Sequence, residues 1–138
     1  MAFTLPIRIG FNHCDPAGIV FYPRYFEMMN QAVETFFREI AAYPFERMVA
    51  TGNGVPTARV EVNFRIPSRL GEVLDWTLEV TRVGRSSVTF AVTAAQGPEQ
   101  RLTATLTIVW IGSDGRSAPW PPAIRTRIAP PDTREDAP

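Results

Sequence analysis

The residues best suited to chemistry lie in one run: His13-Cys14-Asp15-Pro16-Ala17-Gly18-Ile19-Val20-Phe21-Tyr22-Pro23-Arg24-Tyr25. It contains the chain's one histidine and one cysteine, next to a carboxylate. It carries few charges and several residues that shape backbone. Asp15-Pro16 favours a turn, and Gly18 can take a positive φ without strain. Pro23 suits the first position of a helix, so the run ends at a helix N-terminus. Free N–H groups and the helix dipole there can stabilise a developing oxyanion. A carboxylate beside such donors can act as a general base toward water or as a nucleophile on a carbonyl. Plainer readings stand beside this one. Asp15 before Pro16 is also what an Asx turn uses. His13 serves equally well as an exposed loop histidine, and Cys14 as a small apolar filler. A His13–Cys14 nucleophile pair is disfavoured, because neighbours on an extended segment point to opposite faces.

The flanking elements must hold this loop. Strict alternation marks the strands. Phe3, Leu5, Ile7, Ile9 and Phe11 share one parity, as do Val60, Val62, Phe64 and Ile66. The same pattern recurs at Leu74, Trp76, Leu78 and Val80, at Val88, Phe90, Val92 and Ala94, and from Leu102 through Ala104, Leu106 and Ile108 to Trp110. Period two with one polar face predicts antiparallel strands with one buried side. Turn residues separate them, at 68–72, Gly84-Arg85-Ser86, Gly97-Pro98 and 112–115, so the last four strands read as a meander. Between the first two strands the period changes. Tyr25, Phe26, Met29, Ala32, Val33, Phe36, Phe37 and Ile40 recur at three and four, which predicts an amphipathic helix over 23–42. A short helical piece over 45–50 follows. One helix face and one sheet face bury each other most economically when the sheet wraps the helix. The predicted class is therefore α+β, an antiparallel five-stranded sheet around one long helix.

Composition narrows the functions. A chain of 138 residues is one domain by the usual prior, with 45% apolar and 20% charged residues. Fourteen arginines, with no lysine, balance fourteen Asp plus Glu. There is no basic excess to attract nucleic acid, and no lysine for a Schiff base or a phosphate loop. A single cysteine and a single histidine argue against an intrachain disulfide, a cysteine zinc cluster or a multi-histidine metal site. The N-terminus lacks a signal-peptide pattern and no apolar run reaches a membrane span, so the expected setting is cytoplasmic, with no membrane partner. Residues 1–128 form the expected single domain, and 129–138 a mobile proline-rich tail. The stretch after 116 holds six prolines and is not expected to form strand.

The run Cys14-Asp15-Pro16-Ala17-Gly18-Ile19-Val20-Phe21-Tyr22-Pro23, followed by Tyr25, resembles the signature of the 4-hydroxybenzoyl-CoA thioesterase family of hot-dog-fold proteins. The resemblance extends from about Ile7 to Ile128 through strand order and spacing. It implies a hot-dog fold and hydrolysis of an acyl-CoA thioester, with CoA part of the substrate and no separate cofactor. Asp15 matches the family's catalytic aspartate, and the Tyr22 backbone N–H its carbonyl-polarising donor. His13 takes a supporting role. Gly18, Ile19 and Val20 shape the pocket, and Phe26, Asn30 and Val33 line it. Pro56, Thr57 and Ala58 are implied to come from a partner subunit, because the family binds the acyl group at a homodimer interface; two dimers can stack into a tetramer. Arg85 and Ser86 match the region that meets the CoA phosphates, with Arg82 and Arg116 as weaker candidates. Relatives acting on hydroxyaryl-CoA carry an acid where Asn30 stands, and an amide offers hydrogen bonds but no charge.

Three functions remain open on the sequence. The first is hydrolysis of an aryl-CoA of the benzoyl or hydroxybenzoyl type, or of a short to medium aliphatic acyl thioester on CoA or a carrier protein. The second is a hot-dog hydratase or dehydratase using His13 with Asp15. The third is a non-catalytic ligand-binding protein of helix-gripping type.

Overall fold

A computed structural model describes residues 2–129. The elements are β1 (Ala2–Arg8), a short 3-10 turn (Phe11–His13), α1 (Pro23–Glu39), α2 (Phe45–Thr51), β2 (Thr57–Phe64), β3 (Val73–Val83), β4 (Ser87–Gln96), β5 (Glu99–Val109) and α3 (Pro122–Ile128). The five strands form one antiparallel sheet in the order β1-β3-β4-β5-β2, and α1 packs against its inner face. This is the hot-dog arrangement the sequence predicted.

The alternating residues of β3, β4 and β5 are the buried ones. Leu74, Trp76, Leu78, Val88, Phe90, Val92, Leu102 and Ile108 all lie in the core on the sheet's inner face. From the helix side come Tyr25, Met28, Met29, Ala32, Val33, Phe36 and Phe37. Phe36 is the keystone. Its ring packs edge-on to Phe3, Phe37 and Phe90, at 6.1, 5.5 and 5.1 Å between centroids. Helix α1 begins with Pro23 at its first position and ends at Glu39, three residues short of the expected end. Ala42 then takes a φ of 55°, which turns the chain out of the helix.

Three expectations need correction, and one helix was not foreseen. The first strand stops at Arg8, and Phe11 is 82% exposed in the 3-10 turn. The last four strands are not one meander. β2 pairs with β5, and residues 65–72 carry the chain across to β3, which lies beside β1. The apolar row of β2 is not buried by its own chain: Val60, Phe64 and Ile66 are 38%, 49% and 43% exposed. Helix α1 sits over β1, β3 and β4, and the sheet is wider than one helix covers. The proline-rich stretch also contains helix α3, started by Pro122 and anchored by the buried Trp120, Ile124 and Ile128. Proline is disfavoured within a helix but suits its first turn. The expected mobile tail lies outside the described residues, except for Ala129, which is buried.

Candidate active site

Residues 13–22 form a loop tied to itself at both ends. The Phe21 N–H donates to the His13 carbonyl at 2.9 Å, and the Asp15 N–H to the Ile19 carbonyl at 3.0 Å. Cys14 and Val20 pair as an isolated antiparallel bridge. Gly18 closes the turn with a φ of 79°, and its N–H donates to the Asp15 carbonyl at 3.0 Å. One carboxylate oxygen of half-buried Asp15, Oδ1, accepts the Ala17 N–H at 2.9 Å, which is an Asx turn. The turn reading of Asp15 is therefore correct as local structure, and it fixes where the carboxylate sits.

His13 does not join Asp15 as an acid–base pair. It lies in the 3-10 turn, where its Nδ1 accepts the Gly10 N–H at 2.9 Å. That bond places the ring's proton on Nε2 when the ring is neutral. Cys14 donates its thiol to the Gly10 carbonyl at 3.5 Å. Burial pushes the Cys14 thiol up from its ordinary pKa and the Asp15 charge adds to this, so the thiol is held protonated rather than activated.

Tyr22 stands at the N-cap of α1 with helical backbone, its side chain 61% exposed. Among the described residues nothing accepts a hydrogen bond from its N–H. Pro23 has no N–H, so the Tyr22 donor has no immediate neighbour competing for an incoming oxygen. Ile19, Val20 and Tyr22 line a groove of about 260 Å³ with Tyr25, Phe64 and Ile66.

The helix residues expected to contact an acyl group do come together. Phe26, Asn30 and Val33 line a cavity of about 130 Å³ between α1 and the β2–β5 side of the sheet. Thr57 joins them from β2 of the same chain, whereas the resemblance implied that it reaches the acyl group from a partner subunit. Met29, which the sequence places near the site, joins the walls, and sequence reasoning missed Val55, Val60, Leu106 and Ile108, which complete them. The alternation and the helical period each showed that these residues face inward, but not that helix and sheet part company there. Among the described residues no charged side chain lines the cavity, and Asn30 is its one amide. Phe64 divides this cavity from the loop groove, its ring 6.1 Å from that of Tyr22 and 6.5 Å from that of Phe26. Pro56 and Ala58 do not line the cavity; the Pro56 carbonyl accepts the Val109 N–H, and Ala58 lies where the β2–β5 register shifts.

The candidate phosphate-binding residues are spread out. Arg85 and Ser86 form the β3–β4 hairpin, which α3 and the residues leading into it brace: the Trp120 backbone N–H donates to the Arg85 carbonyl at 3.0 Å and Arg125 to the Gly84 carbonyl at 2.7 Å. Arg82 lies on the outer face of the sheet in a shallow groove with Arg59, Glu61 and Thr107. Arg116 belongs to the turn after β5, where its N–H is held by Asp114.

A further charged cluster was not foreseen. Arg101 on β5 is buried and makes a two-pronged pair with Glu72, at 2.8 and 3.0 Å. In the sequence it reads as an ordinary outward strand residue, and only the crossing of residues 65–72 over it explains its burial.

The chain resembles known proteins over most of its length. The sequence pattern of the thioesterase-like superfamily matches residues 9–128. A 4-hydroxybenzoyl-CoA thioesterase of a Pseudomonas species is 34% identical over 62 residues, which are 45% of this chain and 44% of that protein's length. The fold superposes on the 1,4-dihydroxy-2-naphthoyl-CoA thioesterase of Synechocystis with a TM-score of 0.85 and 20% identity, covering 96% of this chain and 98% of the other. A mutant 4-hydroxybenzoyl-CoA thioesterase in complex with 4-hydroxybenzoyl-CoA superposes with a TM-score of 0.80 and 23% identity, covering 93% and 99%. With most of its length matched, this chain belongs to the thioesterase-like superfamily.

Proposed function

We propose that the protein hydrolyses a small acyl-CoA thioester, of aryl type, to the free acid and CoA. The observation that carries this reading is the loop itself. One Asx turn fixes the Asp15 carboxylate, and the same loop delivers the unpaired Tyr22 N–H at the start of α1. The thioester carbonyl oxygen accepts from that N–H, which strengthens its bond as negative charge develops. Asp15 either takes a proton from an attacking water or attacks the carbon to form an anhydride that water then opens. Either way the C–S bond breaks and CoA leaves as thiolate. The aryl preference draws on the two relatives whose names specify aryl-CoA substrates, and on an uncharged cavity bounded by Phe26.

The working unit in this proposal is a homodimer, with a dimer of dimers as its larger form. β2 is an edge strand whose apolar residues are half exposed, and a second copy pairing there removes both the open edge and the apolar surface. CoA phosphates then meet arginines at the surface, with Arg85 in the braced hairpin as the first choice. In the described residues no helix is long and apolar enough to cross a membrane.

The test is thiol release from benzoyl-, hydroxybenzoyl-, phenylacetyl- and straight-chain acyl-CoAs, with wild type and Asp15→Asn compared. An asparagine keeps the Oδ1 acceptor for the Ala17 N–H, so the turn survives and only the proton-accepting charge is lost. Turnover should fall about 10²- to 10⁴-fold. An unchanged rate in Asp15→Asn removes the residue from the mechanism. Binding without turnover in the wild type favours the ligand-binding alternative.

A further inference from the structure

We propose that Arg101 and Glu72 are positioning residues that brace the loop carrying Asp15; the proposal rests on the active-site reading above. The Arg101 side chain is 6% exposed. Beyond its fork to Glu72, it donates to the Pro67 carbonyl at 3.2 Å and to Gln96 Oε1 at 2.6 Å, and its Nε lies 2.7 Å from a Glu99 carboxylate oxygen. Glu72 also accepts the Arg69 N–H at 2.6 Å, and its carbonyl accepts the Ile9 N–H at 2.7 Å. Arg101 thus holds residues 67–72 against β5 and the end of β4. A guanidinium fork fixes direction as well as distance, which a single point charge does not.

Residues 67–72 are in turn the outer wall of the Asp15 loop. The Val20 N–H donates to the Ser68 carbonyl at 2.9 Å, and the Leu70 N–H to the Gly18 carbonyl at 3.0 Å. Ile19 and Arg69 pair as an antiparallel bridge. The Ile19 carbonyl accepts the Asp15 N–H at 3.0 Å, so the relay runs from Arg101 through Glu72 and the 68–70 segment to the backbone of Asp15. Ser68 shows the segment is pulled inward: it is fully buried, and its hydroxyl has no partner among the described residues. A short loop between two strands does not bury an unpaired hydroxyl without something strong holding it there. The Arg101–Glu72 fork supplies that hold.

The experiment compares Arg101→Met and Glu72→Gln with the full-length wild type. It measures steady-state thioester hydrolysis, and amide hydrogen exchange over residues 15–20, 68–72 and 88–94. Arg101→Met should lower kcat about tenfold or more, because small displacements of a reacting group are costly, while KM stays within about threefold. Protection at Val20 and Leu70 should drop while β4 keeps its protection. Glu72→Gln retains one acceptor and should show the same pattern more weakly. A kcat within about twofold of wild type overturns the proposal. So does a loss of protection spread evenly over β4 and the loop, which marks general destabilisation. Exchange requires no substrate. A wild type that hydrolyses nothing defeats the active-site reading, while exchange still decides whether the brace orders the loop.

Discussion

Replacing Phe64 by aspartate should turn the protein into a monomer. Phe64 sits on the open edge strand, 49% exposed, with Val60 and Ile66 beside it on the same face. An aromatic side chain presents on the order of 200 Å² when fully exposed, so about 100 Å² of this ring is free for a partner. At about 25 cal/mol per Å² that area contributes about 2.5 kcal/mol. A twofold interface uses the same residue twice, giving about 5 kcal/mol, or more than a thousandfold in dissociation constant. The aspartate adds a desolvation cost, which makes this a lower figure. Within its own chain the ring also packs against Tyr22, Tyr25 and Phe26. Those ring pairs contribute about 0.5–1.5 kcal/mol each, so the variant is weakened but within reach of folding. Sedimentation velocity at micromolar and at roughly hundred-micromolar protein, with near-ultraviolet circular dichroism as the check on folding, reads the outcome. A folded variant that sediments like wild type refutes the reasoning, as does a wild type that is monomeric at the higher concentration.

Three further outcomes follow from the same geometry. Asn30→Leu should leave hydrolysis of benzoyl-CoA nearly unchanged but lower kcat/KM for a hydroxylated ring by about tenfold, the value of one hydrogen bond to the ring hydroxyl; equal effects on both substrates would separate Asn30 from recognition. Phe36→Ala should cost about 3–5 kcal/mol of stability by urea unfolding, since its ring is buried among Phe3, Phe37 and Phe90. Arg101 and the neighbouring Arg69 hold the Glu72 carboxyl down to about 2 from 4.5, so its contribution is complete above about pH 5 and is lost as pH falls toward 2. The stability gap between wild type and Glu72→Gln should therefore narrow over that range; a gap independent of pH would show that the pair is not what ionisation of Glu72 supports.

How far the sequence foretold this molecule depended on whether each signal was local. Periodicity found every strand and the long helix, because a buried face repeats every two or 3.6 residues whatever lies opposite. Strand order was only partly legible. Pairing of β2 with β5 is decided by how the sheet closes around α1, and the residues of β2 carry no trace of it. Proline content correctly spoke against a strand after β5 but gave no sign of α3, which Pro122 starts. Phe26, Asn30, Val33 and Thr57 fell together in one cavity, whereas Leu106 and Ile108 looked like plain core and are also its walls. Arg101 was invisible because its burial comes from a connection between strands, and connections leave no periodic signature.

The plain and the functional readings of Asp15 are one arrangement. A free side chain on a surface loop would have to be ordered at each turnover, with an entropic cost for every rotor fixed. Here the Asx turn orders it in advance: one oxygen is committed to the Ala17 N–H, and the other is the one the proposed mechanism uses. The same economy appears at Tyr22, whose N–H has no partner among the described residues because a helix's first donors have no carbonyl a turn earlier to bond, while the Phe21 N–H just before it is tied to the His13 carbonyl. His13, expected as a loop histidine with at most a supporting role, closes the turn that starts the loop. Residues chosen for backbone shape therefore do the positioning, and the proposed mechanism asks only one carboxylate and one amide for chemistry. A site built in this way needs a firm outer wall more than it needs additional polar groups, and the wall formed by residues 67–72 is where a buried arginine fork is found.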